Sequence, residues 1–139
     1  MKMPVKKIFI HVVLSLVIGL AIYIFFRQGT WLHRNILPGH TRSFIQIADS
    51  FWGNILKYNL PDFCWSYSFS SALFIWGKWR GGQIKLFVFF VFLLILAAEP
   101  LQLLLPSRFT FDWMDMVAAL LAVLLSFLLV FSKWQKINS

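Results

Sequence analysis

Apolar residues fall into four blocks along the chain, at 8–26, 61–77, 86–105 and 113–131, and the polar residues collect mainly between them. The first and last blocks are almost unbroken. At about 1.5 Å of rise per residue, a run of roughly 19 residues reaches about 28 Å, the thickness of a bilayer's hydrocarbon core. The third block carries Glu99 and meets Pro100, which removes a helical amide donor close to that carboxylate. The second is short and holds Ser66, Ser68, Ser70 and Ser71. Its opening is nonetheless helical in character: Pro61 costs no internal hydrogen bond in a first turn, and Asp62 suits a helix N-terminus. Serine hydroxyls can bond back to their own helix or across to a neighbour. The pattern predicts four transmembrane helices.

Between the first two blocks, Phe44, Ile47, Ala48, Phe51 and Ile55 recur at helical spacing, and Thr41 is placed to cap the helix they would form. Asp49, Asn54 and Lys57 break its apolar character, so 41–57 reads as an amphipathic helix on the outer face, either a lid over the bundle mouth or a surface anchor. The expected fold is therefore all-α: a single domain over residues 1–139, a small polytopic membrane bundle of four transmembrane helices with one amphipathic helix between the first two.

Composition narrows the class further. Apolar types make up 60% of the chain and charged types only 13%, too little for an ordinary soluble surface. The net charge of +8 does not point to nucleic acid, because the basic residues flank apolar runs; phospholipid head groups are the better partner. The start, MKMPVKK, resembles the basic region of a secretory signal, but the apolar run after it is long and no A-x-A-like cleavage site follows before Arg27, so it reads as a retained first span. His11, near the basic end of that span, reads as an interfacial or packing residue. The lone cysteine, Cys64, excludes an internal disulfide and reads as small apolar filler. With four spans, the two tails and the 78–85 turn hold eight basic residues against five on the opposite side, which places both termini in the cytoplasm.

That topology gathers polar groups at one extracytoplasmic mouth. Glu99 and Gln102 are three residues apart on one helical face, and Asp112 and Asp115 repeat the spacing at the start of the last helix. Asp62 falls at the same outer level. Arg108, in the break between the third and fourth blocks, has a planar guanidinium suited to a carboxylate or a phosphate. Either it ties two helices together by pairing with Glu99, or it binds an oxyanion from outside. In the second case Arg108, Gln102, Asp112 and Asp62 would bind substrate, and Glu99 or Asp115 would exchange a proton. There is no serine nucleophile motif, no H-E-x-x-H and no Cys or His pair at metal-site spacing. No cofactor is expected, although Glu99, Asp112 and Asp115 with a substrate phosphate have the hard-oxygen chemistry that suits a divalent cation.

The residues Glu99, Gln102, Leu105, Pro106, Arg108, Asp112 and Asp115 spell E-x-x-Q-x-x-L-P-x-R-x-x-x-D-x-x-D, which resembles the signature at the third-to-fourth helix junction of VanZ-like membrane proteins. The LPDFCW stretch at 60–65 is similar to their other recurring element. The resemblance implies a small multi-pass protein of the bacterial cytoplasmic membrane, with a link to glycopeptide susceptibility in some relatives. The expected function is recognition of an anionic, lipid-linked envelope head group by an outward-facing Arg and carboxylate site. Two alternatives stay open: an enzyme that transfers or hydrolyses such a head group, and a structural module that binds a membrane-protein partner.

Overall fold

Apolar side chains on every face of the 5–26 segment leave a helix as the one way to satisfy its backbone away from water. It forms helix α1 (Val5–Phe26) in the computed structural model, which describes residues 5–26, 50–79, 86, 88–94, 97 and 113–132. Within α1 the stretch Phe9–Val13 is a wider π turn, closed by the Leu14 amide donating to the Phe9 carbonyl.

Helix α2 covers 51–79 and begins at a well-formed cap: the Ser50 hydroxyl accepts from the Gly53 amide at 3.1 Å, and the Asn54 amide donates to the Ser50 carbonyl at 2.9 Å. It does not stop at Pro61. A second π turn, Ile55–Asn59, leads directly into the long segment Leu60–Trp79. The wider turn has a local cause: proline has no amide to donate, and its ring crowds the carbonyl one turn earlier, so an extra residue there relieves the helix. Of the expected amphipathic helix, Ser50 is thus the cap of α2 and 51–57 its first turns; 41–49, Thr41 among them, lie outside the described residues. Asp62 consequently sits inside a helix and not at a free N-terminus.

Helix α3 is represented by residues 86, 88–94 and 97. Helix α4 comprises Trp113–Ser126 and a third π turn, Phe127–Ser132.

Pairwise contacts fix the directions of three helices. Against α2, α1 matches Val12 with Ser68, Ser15 with Cys64 and Gly19 with Cys64 and Trp65, so the two run antiparallel. Against α4, α2 matches Asn59 with Asp115, Ser71 with Ser126 and Phe74 with Phe127, so these two run parallel. One end of the bundle therefore holds the start of α1 and the ends of α2 and α4. A core of Phe74, Ile75, Val91, Val123 and Val130 lies toward it, flanked by Ile8 and Val12. All four helices contribute to that core.

The described residues form an all-α bundle of four helices, but the four-span expectation is corrected: two helices among them, Val5–Phe26 and Trp113–Val130, are long and apolar enough to cross a membrane. The reason is visible in α2. Its segment Leu60–Trp79 has the length, yet Asp62, Lys78 and its serines dilute its apolar character. Of the 86–105 block only the part named above is described. Around the two apolar helices, large side chains such as Phe9, Val17 and Ile18 of α1 and Leu121, Leu124 and Leu128 of α4 remain exposed. A contiguous greasy exterior of this kind is costly in water and natural against acyl chains, consistent with a membrane-associated protein.

Candidate functional site at the Asn59 and Asp115 junction

The π turn that accommodates Pro61 ends at Asn59, which is only 8% exposed. Its side-chain amide donates to the Asp115 carboxylate, Nδ2 to Oδ1, at 2.7 Å. Asp115 stands in the first turn of α4, where the unpaired amides of the helix start favour a carboxylate. The bond joins α2 to α4 at the end of the bundle opposite Lys7 and Lys78.

Directly beside this polar pair is an apolar cleft of about 230 Å³ between the two parallel helices. Ile55, Leu60 and Phe63 form the α2 wall, Val117, Ala118 and Leu121 the α4 wall, and Asn59 is the polar residue among its lining groups. The surface of this cleft is almost wholly apolar, so its chemistry suits apolar matter, with the Asn59 to Asp115 bond beside it.

Of the six residues singled out in the sequence, Asp115 and Asp62 are described, and Glu99, Gln102, Arg108 and Asp112 lie outside the described residues. The structure brings Asp115 to Asn59, and Asp62 follows Asn59 by three positions on the same helix. Asn59 itself was not anticipated. The available signal was an asparagine just ahead of Leu60 and Pro61, which reads more naturally as a turn than as a buried hydrogen-bonding group.

A second set of polar contacts runs along α2 on its way to the other end. The His11 Nδ1 and the Tyr67 hydroxyl lie 2.7 Å apart, Ser15 Oγ donates to the Cys64 carbonyl at 3.1 Å, and Ser68 Oγ donates to the Val12 carbonyl at 2.9 Å. On the α4 side the Ser71 and Ser126 hydroxyls meet at 2.9 Å, both fully buried. Ser70 bonds back to the carbonyls of Ser66 and Tyr67, at 2.7 and 3.2 Å. These contacts account for Ser68, Ser70 and Ser71 as helix-to-helix and back-bonding groups. At the basic end, partial burial holds the Lys78 ammonium below the usual lysine pKa, and Lys7 is near enough to feel its charge. Among the described residues no three His, Cys, Asp or Glu side chains converge in a way that could hold a metal ion.

No protein family, curated protein or solved structure matches this chain.

Proposed function

We propose that the chain is a VanZ-like protein of the bacterial cytoplasmic membrane that binds a phosphate-bearing, lipid-linked envelope molecule at the Asn59 and Asp115 end of its bundle. The observation that carries this reading is the apolar cleft beside the Asn59 to Asp115 bond, in the first turns of the membrane-crossing helix Trp113–Val130, a place that suits the acyl chain of a lipid. Arg108, five positions ahead of Trp113 in the sequence, supplies the guanidinium for the phosphate. Gln102, Asp112 and Asp62 complete the head-group contacts. Both termini lie in the cytoplasm, because α1 and α4 run antiparallel and the basic residues Lys6, Lys7 and Lys78 share the end where α1 starts.

Binding is preferred to catalysis. Asp115 is occupied by a structural hydrogen bond, and among the described residues Ser68 and Ser70 bond to carbonyls while Ser71 bonds to Ser126 and Tyr67. A structural role for the same residues has its own support, since the Asn59 to Asp115 bond also ties α2 to α4. Lipid binding by the purified chain and its Arg108→Ala variant separates the two. Phosphatidylglycerol should bind the parent chain and diacylglycerol, which lacks the phosphate, should not; Arg108→Ala should weaken phosphatidylglycerol binding at least tenfold while the helices stay assembled. Unchanged binding by a folded Arg108→Ala protein would sink the phosphate assignment.

A further inference from the structure

The cleft beside the Asn59 to Asp115 bond has a neighbour. A second cleft, also of about 230 Å³, lies farther along the bundle where α1 joins α2 and α4, with Leu14 and Ile18 of α1, Tyr67 of α2 and Leu125 of α4 among its walls. Among the described residues Phe63 alone lines both clefts. The surface of the second is mostly apolar too, because its polar side chains spend their hydroxyls on the protein: Ser15 donates to the Cys64 carbonyl, and the Tyr67 hydroxyl lies against His11 Nδ1.

The two clefts follow the same stripes of the helices. Ile55, Asn59, Phe63 and Tyr67 recur at every fourth position along α2, and on α4 Leu121 lines the first cleft while Leu125, about one turn on, lines the second. From Met114 to Leu125 the lining of α4 covers about 16 Å of helix. This stretch belongs to Trp113–Val130, which is long and apolar enough to cross a membrane. Half of a hydrocarbon core is about 15 Å, so the two clefts together have the depth of one leaflet. Neither has it alone.

Depth and lining together select the occupant. A helix is about 10 Å across, too thick to lie inside clefts of this volume, whereas a lipid of the leaflet at the Asn59 and Asp115 end has a chain that runs from the start of α4 to the bilayer midplane. We propose that the two clefts form one groove for a single lipid acyl chain, and that the Phe63 side chain, standing between them, sets how far along the groove that chain reaches. The inference rests on the lipid-binding reading above and adds the course of the chain and the residue that limits it.

Two photoactivatable phosphatidylglycerols, alike except for a diazirine near the carbonyl or near the methyl end of one chain, test it on the full chain in detergent micelles, with the cross-linked residues located by mass spectrometry. The carbonyl-end probe should label Met114 and Val117 in the first cleft, and the methyl-end probe Leu14 and Leu125 in the second. Each should exceed by at least fivefold the labelling of Leu124 and Leu128, which are exposed on α4 and line neither cleft. Phe63→Trp, which enlarges the partition, should cut methyl-end labelling of Leu14 at least fivefold and leave carbonyl-end labelling within about twofold; Phe63→Ala should keep both. Leu125→Trp fills the second cleft from α4 and carries the same expectation at Leu14 should Phe63→Trp fail to fold. Methyl-end labelling spread evenly over Leu14, Leu124 and Leu128 would overturn the groove, as would a dimer in these micelles whose clefts take no label because a second copy covers them. Labelling of Leu14 that ignores Phe63→Trp in a folded protein would overturn the part given to Phe63. Arg108→Ala judges the phosphate separately: it should lower the labelling by both probes alike. If it does so while the methyl-end label stays out of the second cleft, the phosphate reading stands without this inference; if neither probe labels a cleft above Leu124 and Leu128, both fall.

Discussion

Gly19 and Cys64 meet so closely that a Cβ placed on the glycine would stand 2.8 Å from the Cβ of the cysteine, with the Trp65 ring at 3.4 Å. The helices α1 and α2 approach closely here, and the Cys64 Cβ has no rotamer by which to retreat. Gly19→Ala should therefore destabilise the bundle by about 1–3 kcal/mol, the usual range for overpacking, even though alanine is the better helix former. Reversible unfolding in mixed detergent micelles measures it. Adding Cys64→Gly to Gly19→Ala should recover part of the loss, because it removes the atom that is struck; no recovery would place the strain elsewhere.

The buried hydroxyl pair of Ser71 and Ser126 calls for a double-mutant cycle. Each single change to alanine leaves the other hydroxyl without this partner, whereas removing both deletes the pair. The coupling energy should be about 0.6 kcal/mol and no more than roughly 1.7, the range found for hydrogen bonds between membrane helices. A coupling of zero in the same unfolding assay would mean that the 2.9 Å contact does not hold α2 to α4.

Tyr67→Phe removes the bond to His11. It keeps the ring that stacks with Phe63 and deletes the hydroxyl that lies 2.7 Å from the imidazole and also meets the Ser71 side chain. The expected cost is about 0.5–1.5 kcal/mol. A His11→Phe, Tyr67→Phe protein should lose less than the two single losses added together, and strict additivity would count against a direct bond.

Direction in the membrane can be read with single cysteines introduced into a Cys64→Ala background, which keeps the Cβ against Gly19. Cysteines at positions 6 and 132 should react with an impermeant maleimide from one side of the membrane, and cysteines at positions 50 and 113 from the other. The expectation follows from the antiparallel course of α1 and α4. Reaction of positions 6 and 132 from opposite sides would reject it, and labelling of 6 and 132 from outside would reject the cytoplasmic termini.

The two helices apolar enough to cross were legible because their signal is local. Nothing but length and uninterrupted apolar character is needed to find 8–26 and 113–131. Helix α2 was harder, since its sequence offers conflicting cues: Pro61 and Asp62 look like the start of a helix, and only the π turn upstream lets the chain pass through them without stopping. The polar residues of α2 acquire their meaning from partners in other helices. Asn59 and Asp115 are 56 positions apart, as are His11 and Tyr67, and no spacing rule links residues at that distance. Asp115 was singled out by its place near a helix start, which is a local property, whereas Asn59 had no such mark. Glu99, Gln102, Arg108 and Asp112 lie outside the described residues, so their part in the candidate site rests on the sequence pattern.

A π turn is a helix with one residue too many, and the one at Ile55–Asn59 works as a phase joint. Because the extra residue is taken up within the turn, the Phe51–Asn54 segment keeps nearly the phase it would have on an unbroken α-helix, and every contact from Cys64 onward keeps its register. A change of one residue in chain length is thus absorbed at this point and is not passed on as a rotation of the surface that borders the cleft.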